Sequence, residues 1–199
     1  MFVSATNFKK LIKKSWAAEG LTIGATENEI FLAGGSWVIR VFKREIPNKI
    51  KAAIVELIGE LPAAGEVFTC YKKEATQYEV AENEYWNIRE RFENAQVPLN
   101  ITRVQYSGGK DMRVLQHQDT QICVLINDFF LDVIDYGATE ENECIPIGPR
   151  THSELAGLIY WQNEIMTMAV ARISINEDSD KELYKFLGHM QDRLLPVCN

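Results

Sequence analysis

The sequence predicts an α+β fold built as two similar helix-plus-antiparallel-sheet halves with a further helix near residue 185. Three observations carry this prediction. Apolar side chains recur with a helical period in four segments, centred at about residues 12, 54, 89 and 131. Runs of β-branched and aromatic residues, split by turn residues, fill the intervals. Both helix pairs lie about 42 residues apart and the units repeat at about 77, so one order of elements is read twice: strand, helix, three strands, helix, strands. Side-chain identity between the units is low, so it is the order that repeats. On this reading residues 1–77 are the first half, 78–177 the second, and 178–199 the final helix.

Each element has its own local cause. Residues 1–5 read as a short strand, and Thr6 or Asn7 can cap a helix running to Gly20, with Phe8, Leu11, Ile12 and Trp16 on its apolar face. Residues 21–23, 29–32 and 37–42 read as strands around Thr26-Glu27-Asn28 and Ala33-Gly34-Gly35-Ser36 turns. Pro47 opens the clearest helix, since a first-turn proline loses no hydrogen bond. Ile50, Ala53, Ile54, Leu57 and Ile58 form its stripe, Gly59, Pro62 and Gly65 stop it, and residues 66–71 follow as a strand.

The second unit gives a helix over 84–96 with Tyr85, Ile88 and Phe92 inward, strands at 99–106, 112–116 and 121–126, and a helix over 127–137 capped by Asn127 or Asp128. After an acidic loop at 138–144 come a strand at 144–147 ending at Gly148-Pro149 and a hairpin about Gln162-Asn163-Glu164. Ser179 and Glu182 form a capping box for a helix with a stripe of Leu183, Phe186, Leu187, Met190 and Leu194.

Composition narrows the function. At 46% hydrophobic and 25% charged, the 199 residues can bury a core. The net charge of −7 argues against a protein that simply coats nucleic acid, while leaving room for a local basic surface. No apolar run approaches the roughly 18 residues of a membrane span. Cys70, Cys123, Cys144 and Cys198 include no C-x-x-C pair and no signal-peptide pattern precedes them, so reduced thiols and a cytoplasmic location are expected.

No motif demands chemistry. The glycine-rich stretches at 34–36 and 107–110 do not fit a phosphate-binding loop and are read as turns. His117, His152 and His189 lack metal-ligand spacing, so no metal and no cofactor is expected. Cys70 and Cys123 sit in apolar strand patterns, as core thiols do. Asp132 and Asp135 read as the wet side of a helix, and no enzyme activity is expected. The exception is the first helix, where Lys9, Lys10, Lys13 and Lys14 fall opposite the apolar face. They can form a plain solvated surface, or contact phosphates without reading sequence, with Lys49 and Lys51 extending the patch.

Three stretches carry a resemblance to a known family. LTIGATENEI (21–30), PNKIKAAIVELIGELPAAGEVFTCYKKE (47–74) and NDFFLDVIDYG (127–137) are similar to segments of the DNA sliding clamps, and the order of elements resembles a clamp domain. The resemblance implies a non-enzymatic ring of several copies in the cytoplasm, contacting double-stranded DNA and replication proteins. Lys9, Lys10, Lys13, Lys14, Lys49, Lys51, Arg89 and Arg91 would face the phosphates, and the strand at 165–173, with Met168, Val170 and Arg172, would border a groove for partner peptides. The chain is shorter than any clamp, and its 127–137 helix is acidic where a DNA-lining helix is basic. The alternative reading is a protein-interaction or regulatory module without DNA binding, with Trp37 and Trp161 on an exposed apolar surface.

Overall fold

A computed structural model describes residues 1–72, 77–79, 87–107, 111–137, 145–153, 157–178, 180–191 and 193–198, without the side chains of 77–79. The chain is α+β. In order run α1 (Ala5–Ala18), β1 (Leu21–Ala25), β2 (Glu29–Gly34), β3 (Trp37–Phe42), α2 (Asn48–Ile58), β4 (Val67–Cys70) and β5 (Gln77–Glu79). Then follow α3 (Ile88–Asn94), β6 (Val97–Ser107), β7 (Asp111–His117), β8 (Cys123–Asn127), α4 (Phe129–Val133), β9 (Ile147–Thr151), β10 (Leu158–Gln162), β11 (Met166–Ala171) and α5 (Lys181–Met190). Among the described residues the strands make one antiparallel sheet in the order β5-β4-β1-β2-β3-β11-β10-β9-β6-β7-β8.

Alternation along the central strands sends side chains to two covered faces. On β3, Trp37, Ile39 and Val41 join the main core, while Val38 points to the other side. The main core takes in α1 through Phe8, Leu11 and Ile12, α2 through Ile50, Ala53 and Ile54, and α4 through Phe130 and Val133. On the opposite face α3 places Ile88, Phe92 and Ala95 against Ala33, Val38, Tyr160 and Ala169. A third cluster joins Val114, Cys123 and Leu125 of the β7–β8 end to Leu183 and Leu187 of α5.

Several expectations need correction. The helix expected over 127–137 stops at Val133, because Ile134 bridges Val3 and the Asp135 N–H donates to the Phe2 carbonyl at 2.9 Å, so pairing with residues 2–4 draws the chain out extended. The same pairing reduces the expected strand at 1–5 to a single bridge, and Ser4 rather than Thr6 or Asn7 caps α1, its hydroxyl accepting from the Asn7 N–H at 3.4 Å. At Gly148-Pro149, where a strand was expected to end, β9 is just beginning. The apolar stripe of the last helix ends at Met190: Leu194 is 79% exposed, and Leu195 takes the place in the cluster that the period assigned to it. Trp37 and Trp161, read as surface candidates, are 3% and 0% exposed. The acidic loop at 138–144, Cys144 and Ser179 lie outside the described residues, as does all of the glycine-rich turn except Ser107.

Candidate functional site

A concavity lies where α1 crosses the start of α4. Its floor follows from core packing. Phe8 meets Trp37 edge to face at 5.9 Å, and the Trp37 indole N–H donates to the buried Ser15 hydroxyl at 2.8 Å, which satisfies both polar groups inside the core. Asn7 donates from its side-chain amide to the Asp132 carbonyl at 2.8 Å and fixes the spacing of the two helices. A cleft of about 500 Å³ remains, floored by Leu11, Trp37 and Phe130 and rimmed by Lys14, Glu19, Asp111, Asn127, Asp128 and Asp132.

One rim carboxylate is tied down. Arg113 donates to Asp128 from Nε at 2.8 Å and from Nη2 at 3.2 Å, a bidentate pair, and Gln105 adds a third bond at 2.7 Å. The bond to Asp128 raises the guanidinium pKa further above its ordinary value, so Arg113 stays charged. Asn127, at the head of α4, accepts the Phe129 N–H at 3.0 Å, whereas Asp128 is spent on Arg113 and caps nothing. The rim is therefore predominantly acidic, with Lys14 as its cation.

The lysines expected to meet phosphate lie on two helices of one layer. Lys10, Lys13, Lys14 and Lys49 are exposed, and Lys9 and Lys51 are half-buried. Some of that charge is answered locally, since Lys13 lies 3.3 Å from Glu56 of α2, while Lys10 donates to the neutral Asn7 amide. The arginines are elsewhere. Arg89 and Arg91 belong to α3, on the far side of the sheet, where the Arg89 guanidinium stands 5.1 Å from the Phe42 ring centre and donates to the Glu164 carbonyl at 2.6 Å. Glu29 of β2 pairs with Arg40 and stands 3.9 Å from Arg89. Burial raises the Tyr160 pKa, opposed by the neighbouring Arg91. The eight basic residues thus divide into a lysine group and an arginine group on opposite faces.

Met168 and Val170 are each 0% exposed and belong to the main core, so their side chains offer no groove wall; Arg172 is half-buried just beyond β11. Their strand is central, paired with β3 and β10 along both edges, which is why its alternating pattern reads inward on both faces. Cys70 and Cys123 are buried, and burial pushes the Cys123 thiol up to about 11. No group of three or more His, Cys, Asp or Glu among the described residues is placed to hold a metal, and no described helix is long and apolar enough to cross a membrane. The sequence offers Asp128 only as a candidate cap and gives Asp111 and Arg113 no role, because the three are brought together by the β6–β7–β8 pairing. No family model matches this chain, and neither curated proteins nor solved structures offer a match.

Proposed function

We propose that this chain is a non-enzymatic, clamp-like binding protein whose working surface is the layer of α1 and α2. The observation that carries the reading is electrostatic: these two helices and their caps bear six lysines against Glu19 and Glu56, on a chain whose net charge is −7. A polyanion such as a DNA backbone would meet Lys9, Lys10, Lys13, Lys14, Lys49 and Lys51 without base contacts. The clamp-like reading draws support from strand order. In the first unit the helix α2 leads back to β4, which adds beside β1 of the β1-β2-β3 meander; in the second, α4 leads back to β9, which adds beside β6 of β6-β7-β8. The units differ in that α1 and α3, which precede the two meanders, lie on opposite faces.

The test is binding of a fluorescent 30-base-pair duplex at about 25 and 200 mM salt, with light scattering on the same samples. The reading expects affinity that falls steeply with salt and is indifferent to sequence, abolished by reversing Lys9, Lys10, Lys13 and Lys14 to Glu in a chain that stays folded. A mass that requires three or more copies of the chain, beyond one chain plus the duplex, would add the homo-oligomeric ring. Absence of binding at low salt removes DNA as the ligand. A second reading, a protein-interaction module that binds replication or other proteins without DNA, is favoured by the acidic rim of the α1–α4 cleft, which repels phosphate and suits a basic protein segment.

A further inference from the structure

Strand β6 changes partners along its length. Val97 and Pro98 pair with β9, and beyond them the other edge of the strand pairs with β7, with a register break between Ile101 and Gln105. The edge that β9 leaves at Pro98 is taken up by residues 193–198. Val197 bridges Thr102 in antiparallel fashion, the Arg103 N–H donates to the Pro196 carbonyl at 2.7 Å, and the Cys198 N–H donates to the Ile101 carbonyl at 2.8 Å.

A buried side chain grips the same segment. Gln116 is 2% exposed, yet its Nε2 donates to the Arg193 carbonyl at 2.6 Å and its Oε1 accepts the Leu195 N–H at 3.0 Å. Both bonds go to main chain, spaced as an extended backbone presents its groups, so this amide recognises a strand rather than particular side chains. Pro196 fits because only its carbonyl is used. Leu195 is the segment's apolar anchor: it packs into the cluster of Val114, Leu125, Leu183 and Leu187, while Leu194 stays 79% exposed and the Cys198 thiol donates to the Thr102 carbonyl at 3.4 Å.

We propose that β6, Gln116 and this cluster form a strand-docking site, that residues 193–198 are its resident and exchangeable occupant, and that its external ligand is an extended peptide of the same chemistry. Such a peptide needs an apolar side chain at the Leu195 position and would add antiparallel to β6, its affinity coming from main-chain bonds and its selectivity from the one pocket. An edge segment held by four main-chain hydrogen bonds, two longer ones through the Cys198 thiol to Thr102 and Arg113, and one leucine opens more readily than the interior ladders. The site shares no residue with the lysine layer and stands whether or not the chain binds DNA.

The test uses the full chain carrying Leu195→Asp, which loosens the resident segment, and a fluorescent peptide with the sequence of residues 193–198. The peptide should bind this variant at least tenfold more tightly than the unaltered chain, and adding Gln116→Ala should weaken binding at least tenfold. Absence of saturable binding, or binding indifferent to Gln116, overturns the proposal. Hydrogen exchange on the unaltered chain covers the case in which a variant misfolds. The Arg103, Leu195 and Cys198 amides should exchange together, about 100-fold faster than the β7–β8 ladder. Exchange of these amides only along with that ladder rejects an exchangeable segment.

Discussion

The two ends of the sheet solve the same problem by different chemistry. At the β1–β3 end the interior is almost wholly apolar, with Phe8, Ile12, Ile23, Ile39 and Ile54 each at 0% exposure under α1 and α2. At the β6–β8 end the interior is stitched by polar side chains. Thr102 and Gln116 are at most 2% exposed, and the Thr102 hydroxyl donates to the Val114 carbonyl at 2.8 Å where the β6–β7 register breaks. Apolar packing tolerates change in proportion to volume lost, whereas a buried polar group left without its partner loses its full desolvation cost. Helices thus cover the first end, and at the second a break in the ladder is repaired group by group.

The largest expected effect lies in the apolar end. Phe8→Ala removes a fully buried ring and its edge contact with Trp37, and should cost about 3–5 kcal/mol by denaturant unfolding, with an unchanged slope against denaturant. A loss below about 1 kcal/mol would mean that the helix layer is packed far more loosely than the structure has it. Next comes Asp128→Ala at the polar end. It leaves the Arg113 guanidinium, about four-fifths buried, without its bidentate partner, and should cost about 2–3 kcal/mol, less than a fully buried pair because water still reaches both side chains. Replacing both residues together, as Arg113→Met with Asp128→Leu, should recover much of that loss, which a merely structural carboxylate would not do.

Cys123 gives the same contrast a pH dependence. Its thiol is buried beside Gln116 and titrates at about 11, against an ordinary value of 9.0, because burial disfavours the thiolate. The folded pKa is the raised one, so the contribution is fully present below pH 9 and is lost as the pH rises toward 11, where the unfolded chain ionises and the folded chain does not. Unfolding measured from pH 8 to 11 should show a loss on the order of 1–3 kcal/mol that Cys123→Ala removes. A variant curve parallel to the unaltered one would place the alkaline loss elsewhere.

The contrast also explains what could be read from the residues alone. Helical stripes and strand runs in the apolar end follow from period, so α1, α2 and β1 to β4 lie where Phe8, Ile50 and Val67 put them, within a residue or two. The β6–β8 strands were legible too. What escaped was set by contacts distant in sequence: the shortening of α4 by Val3, the pairing of Arg113 with Asp128, and the docking of residues 193–198 by Gln116. Period also cannot say which face of a sheet a helix will cover. Only the clamp resemblance groups Arg89 and Arg91 with the lysines of α1, and α3 packs on the opposite face against Tyr160 and Ala169.

The smallest effect is expected at the surface, and it separates stability from function. Lys13 and Glu56 join α1 to α2 at 3.3 Å, but their side chains are 48% and 61% exposed, so water and salt screen the pair. Lys13→Ala, Glu56→Ala and the double change should each alter unfolding by no more than about 0.5 kcal/mol, with a coupling near the lower end of the range for exposed pairs. The same variants should move duplex binding in opposite directions. Removing Lys13 takes away a phosphate contact, whereas removing Glu56 frees Lys13 and deletes one of the two carboxylates set against six lysines, so Glu56→Ala should strengthen low-salt binding as Lys13→Ala weakens it. Equal and unchanged binding in both would show that the lysine layer is a solvated surface, while a stability loss above 1 kcal/mol in either would show the pair to be structural.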